Sequence, residues 1–387
     1  MAVIEGRAGA RVAKAAAVLA ALVALALPAV AGVLPEERAD VLFHSYDGGG
    51  VTIQGPSLLV RKQFADKFSA SANYYVDRVS SASIDVVSTA SPYTEERTQY
   101  SVGFDYLHDS WLLNLGFTSS EENDYTADTF SVGVSQDFFG DLTTLSLGYS
   151  VGSDEVRRRG DSEFSADVDR RQYRLGLSQI LTRSLLLGLS FETITDEGFL
   201  NNPYRSVRFI DDENPRGYSW ESEVYPRTRT SDAAAIRLRY YLPYRAALHA
   251  EYRTYTDTWD IRADTFELGY THPIDGGWVI EAKVRGYSQT AASFYRDLFP
   301  RSRFQNFMAR DKELSTFDST TFRLGASYDV LRGGWRFVER GTVNIAYDHI
   351  LFDYADFRDV TRGGAPGDEP FYSFDADVVQ LYLSFWF

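Results

Sequence analysis

In this 387-residue chain the groups able to do chemistry are five histidines and a series of charged side chains on alternate positions; cysteine is absent. Without cysteine there is no disulfide, no thiolate metal site and no Cys nucleophile. His108 stands two residues before Ser110, and His349 follows Asp348, a pairing that could activate water as a general base. His108 falls in a short turn, however, and an isolated Asp-His dipeptide at a strand end is ordinarily polar surface. His44, His249 and His272 show no metal-ligand spacing. No catalytic residue, metal or cofactor is therefore expected.

The charged series is more informative. Arg237, Arg239, His249, Glu251, Arg253, Glu267, Glu281, Lys283 and Arg285 place both signs on alternate positions of four successive segments. They have two readings. One is a field across a solute path, with five cations against three carboxylates giving a slight anion preference. The other is a ladder of salt bridges that braces the wall.

The elements that must position these charges are strands, because the apolar residues recur with period two. Tyr100, Val102, Phe104 and Tyr106 share one parity, while Ser101, Gly103 and Asp105 hold the other. Trp111 to Phe117, Phe130 to Val134, Leu145 to Val151 and Tyr173 to Leu177 repeat the pattern, as do the segments around Leu187, Leu238, Leu248, Phe266, Ile280, Leu324 and Ile345. On the opposite parity the first half is small and neutral (Ser131, Gly133, Ser146, Gly148), whereas the second half carries the charges. Short turns are expected at residues 64–67, 108–110, 139–141, 181–183, 243–245 and 274–277. Long polar connections are expected at 81–96, 154–166, 196–227, 290–315 and 356–370.

Alternate apolar positions, short turns at one end and long loops at the other are the pattern of a transmembrane antiparallel up-and-down β-barrel, all-β. Counting an opening strand near residues 40–46 gives about sixteen strands, with fourteen and eighteen as the alternatives. Frequent Tyr and Phe near strand ends fit the aromatic belts of membrane interfaces. No later segment approaches the roughly 20 apolar residues of a transmembrane helix, but a barrel escapes that test because only alternate residues meet lipid.

The first residues read as an export signal. Arg7, Arg11 and Lys14 precede an apolar run from Ala15 to Leu27, and Ala29-Val30-Ala31 supplies an A-x-A cleavage site after Ala31. Two regions follow: a signal peptide at 1–31 and one barrel domain at 32–387. Removing the signal takes three cations and Glu5, moving the formal charge from −15 to about −17. An acidic chain without a clustered basic face has no nucleic-acid partner.

At the other end, apolar residues fall at Val379, Leu381, Leu383, Phe385 and the terminal Phe387. This pattern resembles the assembly signal of outer-membrane proteins, and the resemblance implies recognition by the barrel-assembly machinery and a place in the bacterial outer membrane, with lipid and lipopolysaccharide as surroundings. A second likeness lies in Thr52-Ile53-Gln54-Gly55-Pro56-Ser57-Leu58-Leu59-Val60-Arg61-Lys62 and in the segment from Asn73-Tyr74-Tyr75-Val76-Asp77-Arg78 to Pro92-Tyr93-Thr94-Glu95. It resembles a family of uncharacterised proteobacterial outer-membrane barrels. That resemblance implies no catalytic residues, and a link to redox or flavin-transferring envelope proteins.

Two functions are consistent with these residues. The first is a passive, porin-like channel for small and preferentially anionic solutes. The second is a non-conducting receptor or envelope scaffold, with a protein partner at the periplasmic or outer face. Aromatic and Arg side chains crowd the loops at 196–227 (Phe199, Tyr204, Phe209, Trp220) and 290–315 (Phe294, Tyr295, Phe299, Phe304). Such side chains are efficient contact anchors, whether for a partner or for folding into the mouth.

Overall fold

A computed structural model describes residues 33–81 and 93–387; the expected signal segment and residues 82–92 lie outside the described residues. Nine strands follow one another up and down: β1 (Arg38–Gly48), β2 (Val51–Phe64), β3 (Phe68–Ser81), β4 (Tyr93–His108), β5 (Trp111–Glu122), β6 (Tyr125–Phe138), β7 (Thr143–Arg158), β8 (Asp161–Thr182) and β9 (Leu185–Gly198). A two-stranded hairpin, β10 (Ser206–Ile210) and β11 (Tyr218–Ser222), interrupts the series. The wall resumes with β12 (Thr228–Tyr241), β13 (Ala247–Asp257), β14 (Arg262–Ile274), β15 (Trp278–Gln289), β16 (Phe317–Asp329), β17 (Arg340–Arg358) and β18 (Phe371–Trp386). Every wall strand pairs antiparallel with its neighbours, and β1 pairs with β18, so sixteen strands close into a barrel. Closure matters physically, since an open edge would leave a row of backbone groups unpaired in hydrocarbon.

The expected parity is present throughout. Tyr100, Val102, Leu147, Phe266, Phe322 and Leu324 are exposed at 50% or more, and large apolar residues of the outward parity are exposed on every wall strand, on β5 through Phe117 and on β17 through Ile345 and Tyr347. The opposite parity faces inward, because loop segments pack upon it: Gln289 of β15 donates through Nε2 to the carbonyls of Glu313 and Ser315, and Tyr354 of β17 joins an apolar cluster built from the loops. The C-terminal positions Val379, Leu381, Leu383 and Phe385 share the outward parity of β18. Lys62 Nζ sits 5.0 Å from the Phe387 ring centroid, and Trp386 Nε1 donates to Glu36 Oε2 at 2.6 Å.

The two ends differ, as expected, but with one correction. A long polar loop is expected at 154–166, whereas β7 and β8 run on to Arg158 and Asp161 around the two residues Arg159 and Gly160. Beyond the apolar belt the outward positions Ser153, Glu155 and Arg157 are polar, so the hydrophobic alternation stops while the backbone ladder, which needs no apolar side chain, continues. The same end has further tight connections at Gly49-Gly50 and Asn123-Asp124, and its long ones among the described residues are 199–227, 290–316 and 359–370. The opposite end carries short turns and one longer connection, 330–339.

The parity generates a prediction. Leu147→Arg, on the outward face of β7, is expected to cost about 2–4 kcal/mol in a bilayer if near the midplane, whereas Ser150→Arg, facing inward on the same strand, is expected to cost little. Urea titrations of the heat-modifiable folded band in lipid vesicles measure both, and equal losses would reverse the assignment of faces.

Candidate functional site: a charged wall beneath a bridged mouth

The charged series occupies the inward face of β12 to β15, in register. Arg237 lies opposite Glu251, Glu251 opposite Glu267, and Glu267 opposite Arg285; one row over, Arg239 lies opposite His249. Most of these charges are matched. Arg237 Nε is 2.7 Å from Glu251 Oε2, and Lys283 Nζ is 3.3 Å from Glu281 and 3.9 Å from Glu267. Arg253 reaches back to Glu192 of β9 at 3.5 Å. The network extends past the expected residues. Arg323 of β16 joins Glu281 to Asp348 of β17, and Arg174 of β8 shares Glu192 with Arg253. Arg174, Glu192, Arg323 and Asp348 lie on strands outside the four whose charges alternate as a series, so that series did not point to them.

Two cations stand apart. Arg239 and Arg285 make no ion pair within 4.0 Å among the described residues, although the register sets Arg285 across from Glu267. Arg239 is exposed and Arg285 half-buried, so both guanidinium groups keep access to water. The excess of cations expected from the sequence thus resolves into two named side chains rather than a diffuse bias.

His249 is placed by a glycine. Its ring lies across Gly269 on the next strand, where a Cβ would fall 2.0 Å from Cδ2 and 3.2 Å from Cγ of Lys283. An added side chain at Gly269 would therefore collide with the His249 ring. A different close approach lies at Gly55 of β2, where an added Cβ would fall 1.6 Å from the Val76 carbonyl oxygen of β3, and there His44 of β1 meets β3: His44 Nε2 lies 2.7 Å from Asp77 Oδ1 and 3.1 Å from Tyr75 Oη, and Tyr75 donates to Asp77 at 2.8 Å. His44 and Asp77 are buried, Tyr75 is half-buried, and the His44 and Tyr75 rings stack with an interplanar angle of 1°. Gly55, Tyr75 and Asp77 belong to the segments singled out by resemblance, but their meeting with His44 was not legible, since alternation says nothing about contacts that skip a strand.

The expected Asp348-His349 pair is split by the pleat. Asp348 points inward to Arg323, while His349 points outward, where Nδ1 lies 2.9 Å from Asp377 Oδ1 and Tyr347 donates to the same oxygen at 2.6 Å. His108 is 3.5 Å from Asp109 in its turn. Among the described residues no group of three His, Asp or Glu side chains is arranged to hold a metal.

Above the charged wall, three connections fold over the mouth and interlock. Tyr225, Trp259, Ile261, Phe294, Leu314, Tyr354 and Phe357 form a buried apolar cluster joining 199–227 and 290–316 to the tops of β13, β14 and β17. Val207, Phe299 and Met308 form a second, and backbone bridges join Phe209 to Phe299 and Val224 to Met308. Charge is buried with them. Arg208, fully buried, grips both Glu369 oxygens at 2.5 and 3.1 Å and Asp297 Oδ2 at 2.5 Å. Arg310 Nη2 is 2.9 Å from Asp297 Oδ1, so two cations meet two carboxylates. Removing one partner of such a set strands a buried charge, which is strongly destabilising.

A family model described as "Protein of unknown function (DUF3570)" matches residues 84–340, well over half the chain. The chain belongs to that family. No curated protein matches the chain by sequence. Among solved structures, a bacterial polysaccharide outer membrane secretin is similar over 92% of this chain and 100% of its own at 8% identity and a TM-score of 0.49. A FadL homologue of Pseudomonas aeruginosa is similar over 92% and 91% at 10% identity, TM-score 0.44. OccK2 of Pseudomonas aeruginosa, solved with glucuronate, is similar over 92% and 99% at 10% identity, TM-score 0.43. What these share with the DUF3570 chain is the architecture of outer-membrane β-barrels.

One loop carboxylate sets a pH dependence. Glu223 accepts from the Arg310 amide at 2.7 Å and from Tyr225 Oη at 2.6 Å, and burial, reinforced by nearby Asp311, pushes its carboxyl up to about 7 from 4.5. A carboxyl with a raised folded pKa favours folding below its unfolded value and loses that contribution as pH climbs through the folded one. Opening of the interlocked loops, read by hydrogen exchange at the Val224 and Met308 amides corrected for intrinsic rates, is expected to rise about tenfold or more between pH 4.5 and 8. Glu223→Gln is expected to flatten the profile; an unchanged slope in that variant would assign the dependence to other groups.

Proposed function

We propose that this DUF3570 protein is an outer-membrane channel for small anionic solutes, exported by a signal peptide at 1–31, inserted by the barrel-assembly machinery through the Val379 to Phe387 strand, and seated in lipid and lipopolysaccharide with its long loops outward. The observation that carries the reading is the pair of unmatched guanidinium groups, Arg239 and Arg285, on an inward wall whose other charges are largely neutralised by one another. Matched pairs brace the wall and present little net field. Two unmatched cations, kept in contact with water, give a passing anion a place to exchange its hydration for charge without being trapped in a closed site. Small inward residues on β4 to β7 leave the opposite side of the lumen clear, and a sixteen-strand wall is wide enough for an aqueous path. We assign it no catalytic role, and no cofactor or metal.

A second reading has its own support. The buried apolar core and charge network across the mouth are more than a surface loop needs to fold, and a barrel sealed by them would serve as a receptor or scaffold for a protein partner.

Planar-bilayer recording separates the two. The channel reading expects ohmic openings whose reversal potential in a salt gradient favours anions, with Arg239→Glu and Arg285→Glu each shifting it toward cations and Arg237→Glu, already paired with Glu251, shifting it less. Selectivity unmoved by reversing all three removes the channel-lining assignment. Absence of conductance, even after excision of residues 200–226, supports the scaffold.

A further inference from the structure

Three of the five histidines have an aspartate at hand: His44 has Asp77, His349 has Asp377, and His108 has Asp109. His272 Nδ1 meets the Tyr270 hydroxyl at 2.7 Å. His249 differs from all of these. Among the described residues no carboxylate lies within 4.0 Å of its ring, Nε2 is 3.3 Å from Thr271 Oγ1, and Nδ1 is buried without a hydrogen-bond partner. A proton taken up by this ring meets no built-in counter-charge.

The surroundings make that deficit specific. Strands β12 to β15 place Arg239, His249, Gly269 and Lys283 in one cross-strand row, toward the short-turn end and away from the loops over the mouth. Gly269 opens a gap in the row. A Cβ there would lie 2.0 Å from Cδ2 and 2.5 Å from Nε2 of His249, and 3.2 Å from Cγ of Lys283, so both side chains reach over bare backbone. On the other side, Arg239 stands directly opposite His249, exposed and without an ion pair among the described residues.

The charged groups that face the ring are Arg239 from β12, Glu267 from β14, and Glu281 and Lys283 from β15. In the row above, Arg237 and Glu251 neutralise each other at 2.7 Å, and Arg285 stands two strands away. Lys283 is shared between Glu281 at 3.3 Å and Glu267 at 3.9 Å. With His249 neutral, the four facing charges balance. A proton on the ring leaves one positive charge in excess, beside a guanidinium that has no ion pair of its own.

We propose that Arg239, His249 and Lys283 form a binding site for a small oxyanion, such as a carboxylate, that is completed when His249 is protonated. A guanidinium fork, an imidazolium N–H and an ammonium N–H are the donors such an anion takes, and the bare backbone of Gly269 leaves space between them. Imidazole is the group among them that changes charge between about pH 5 and 8. Proton and anion therefore bind in linkage, each strengthening the other by the same factor. The site deepens the channel reading and rests on it for its use, since it makes anion preference rise on acidification. Its test does not need an open pore.

Full-length protein with isotope-labelled histidine, held in lipid nanodiscs, gives five imidazole signals by NMR. The signal lost in His249→Gln, or in His249→Asn, identifies His249. Sodium formate, an anion throughout the pH range, is expected to raise the His249 titration midpoint by about 0.5–1 pH unit, which corresponds to a three- to tenfold preference for the protonated ring. The other four midpoints should move less, by the ionic-strength effect they share. Arg239→Gln is expected to remove most of the His249 response. A His249 midpoint that moves no further than those of His108 and His272 overturns the site, and so does a response undiminished in Arg239→Gln. Bilayer recording bears on the channel separately. Formate binding without conductance leaves the site standing and removes the solute path, whereas conductance without the formate response does the reverse.

Discussion

Everything in this molecule depends on the pairing of β1 with β18. A strand in hydrocarbon must satisfy its backbone from its neighbours, and for the first and last strands only each other is available. Once that ladder forms, from Arg38 opposite Trp386 to Gly48 opposite Ala376, the wall has two faces and no edge. Each residue is then committed to lipid or lumen by parity alone. The pleat that separates Leu147 from Ser150 is also the pleat that sends Asp348 to Arg323 and His349 to Asp377. Charge can accumulate on the inward face only because closure removes that face from lipid.

The inward face is divided by chemistry. One side is small and neutral, while the other carries a network running from Arg174 to Asp348. Within it, paired charges act mainly as struts, and Arg239 and Arg285 make no ion pair among the described residues. The mouth is built on the opposite principle, with charge buried and satisfied: Arg208, Arg310, Asp297 and Glu369 tie together three connections that would otherwise be independent. Water-exposed charge below and water-free charge above give the same residue types two different jobs.

How much of this was legible in the sequence follows from what alternation encodes. Period two reports which face a residue takes, so the barrel class, a count of about sixteen strands and the outward belt could be read from it. It fades where both faces meet water, which is why the β7–β8 hairpin reads as a loop although its ladder continues to Arg158. It is silent on contacts that skip a strand, as at His44 and Asp77 over Gly55, and on tertiary joins between connections. The crowding of aromatic and Arg residues in 196–227 and 290–315 signals that those loops bury something. Which partners they choose depends on geometry that exists only after closure.

The sequence distances within the bridge bear on the order of events during assembly. Arg208 and Glu369 are 161 residues apart, and Tyr204 and Asp124 are 80 apart. Contacts of that range gain nothing until the chain between them is already confined, whereas each wall strand is zipped to its predecessor as it forms. The bridge is thus the last structure to appear. A newly closed barrel passes through an interval with its mouth uncovered, and the mature, covered state is a property acquired after insertion.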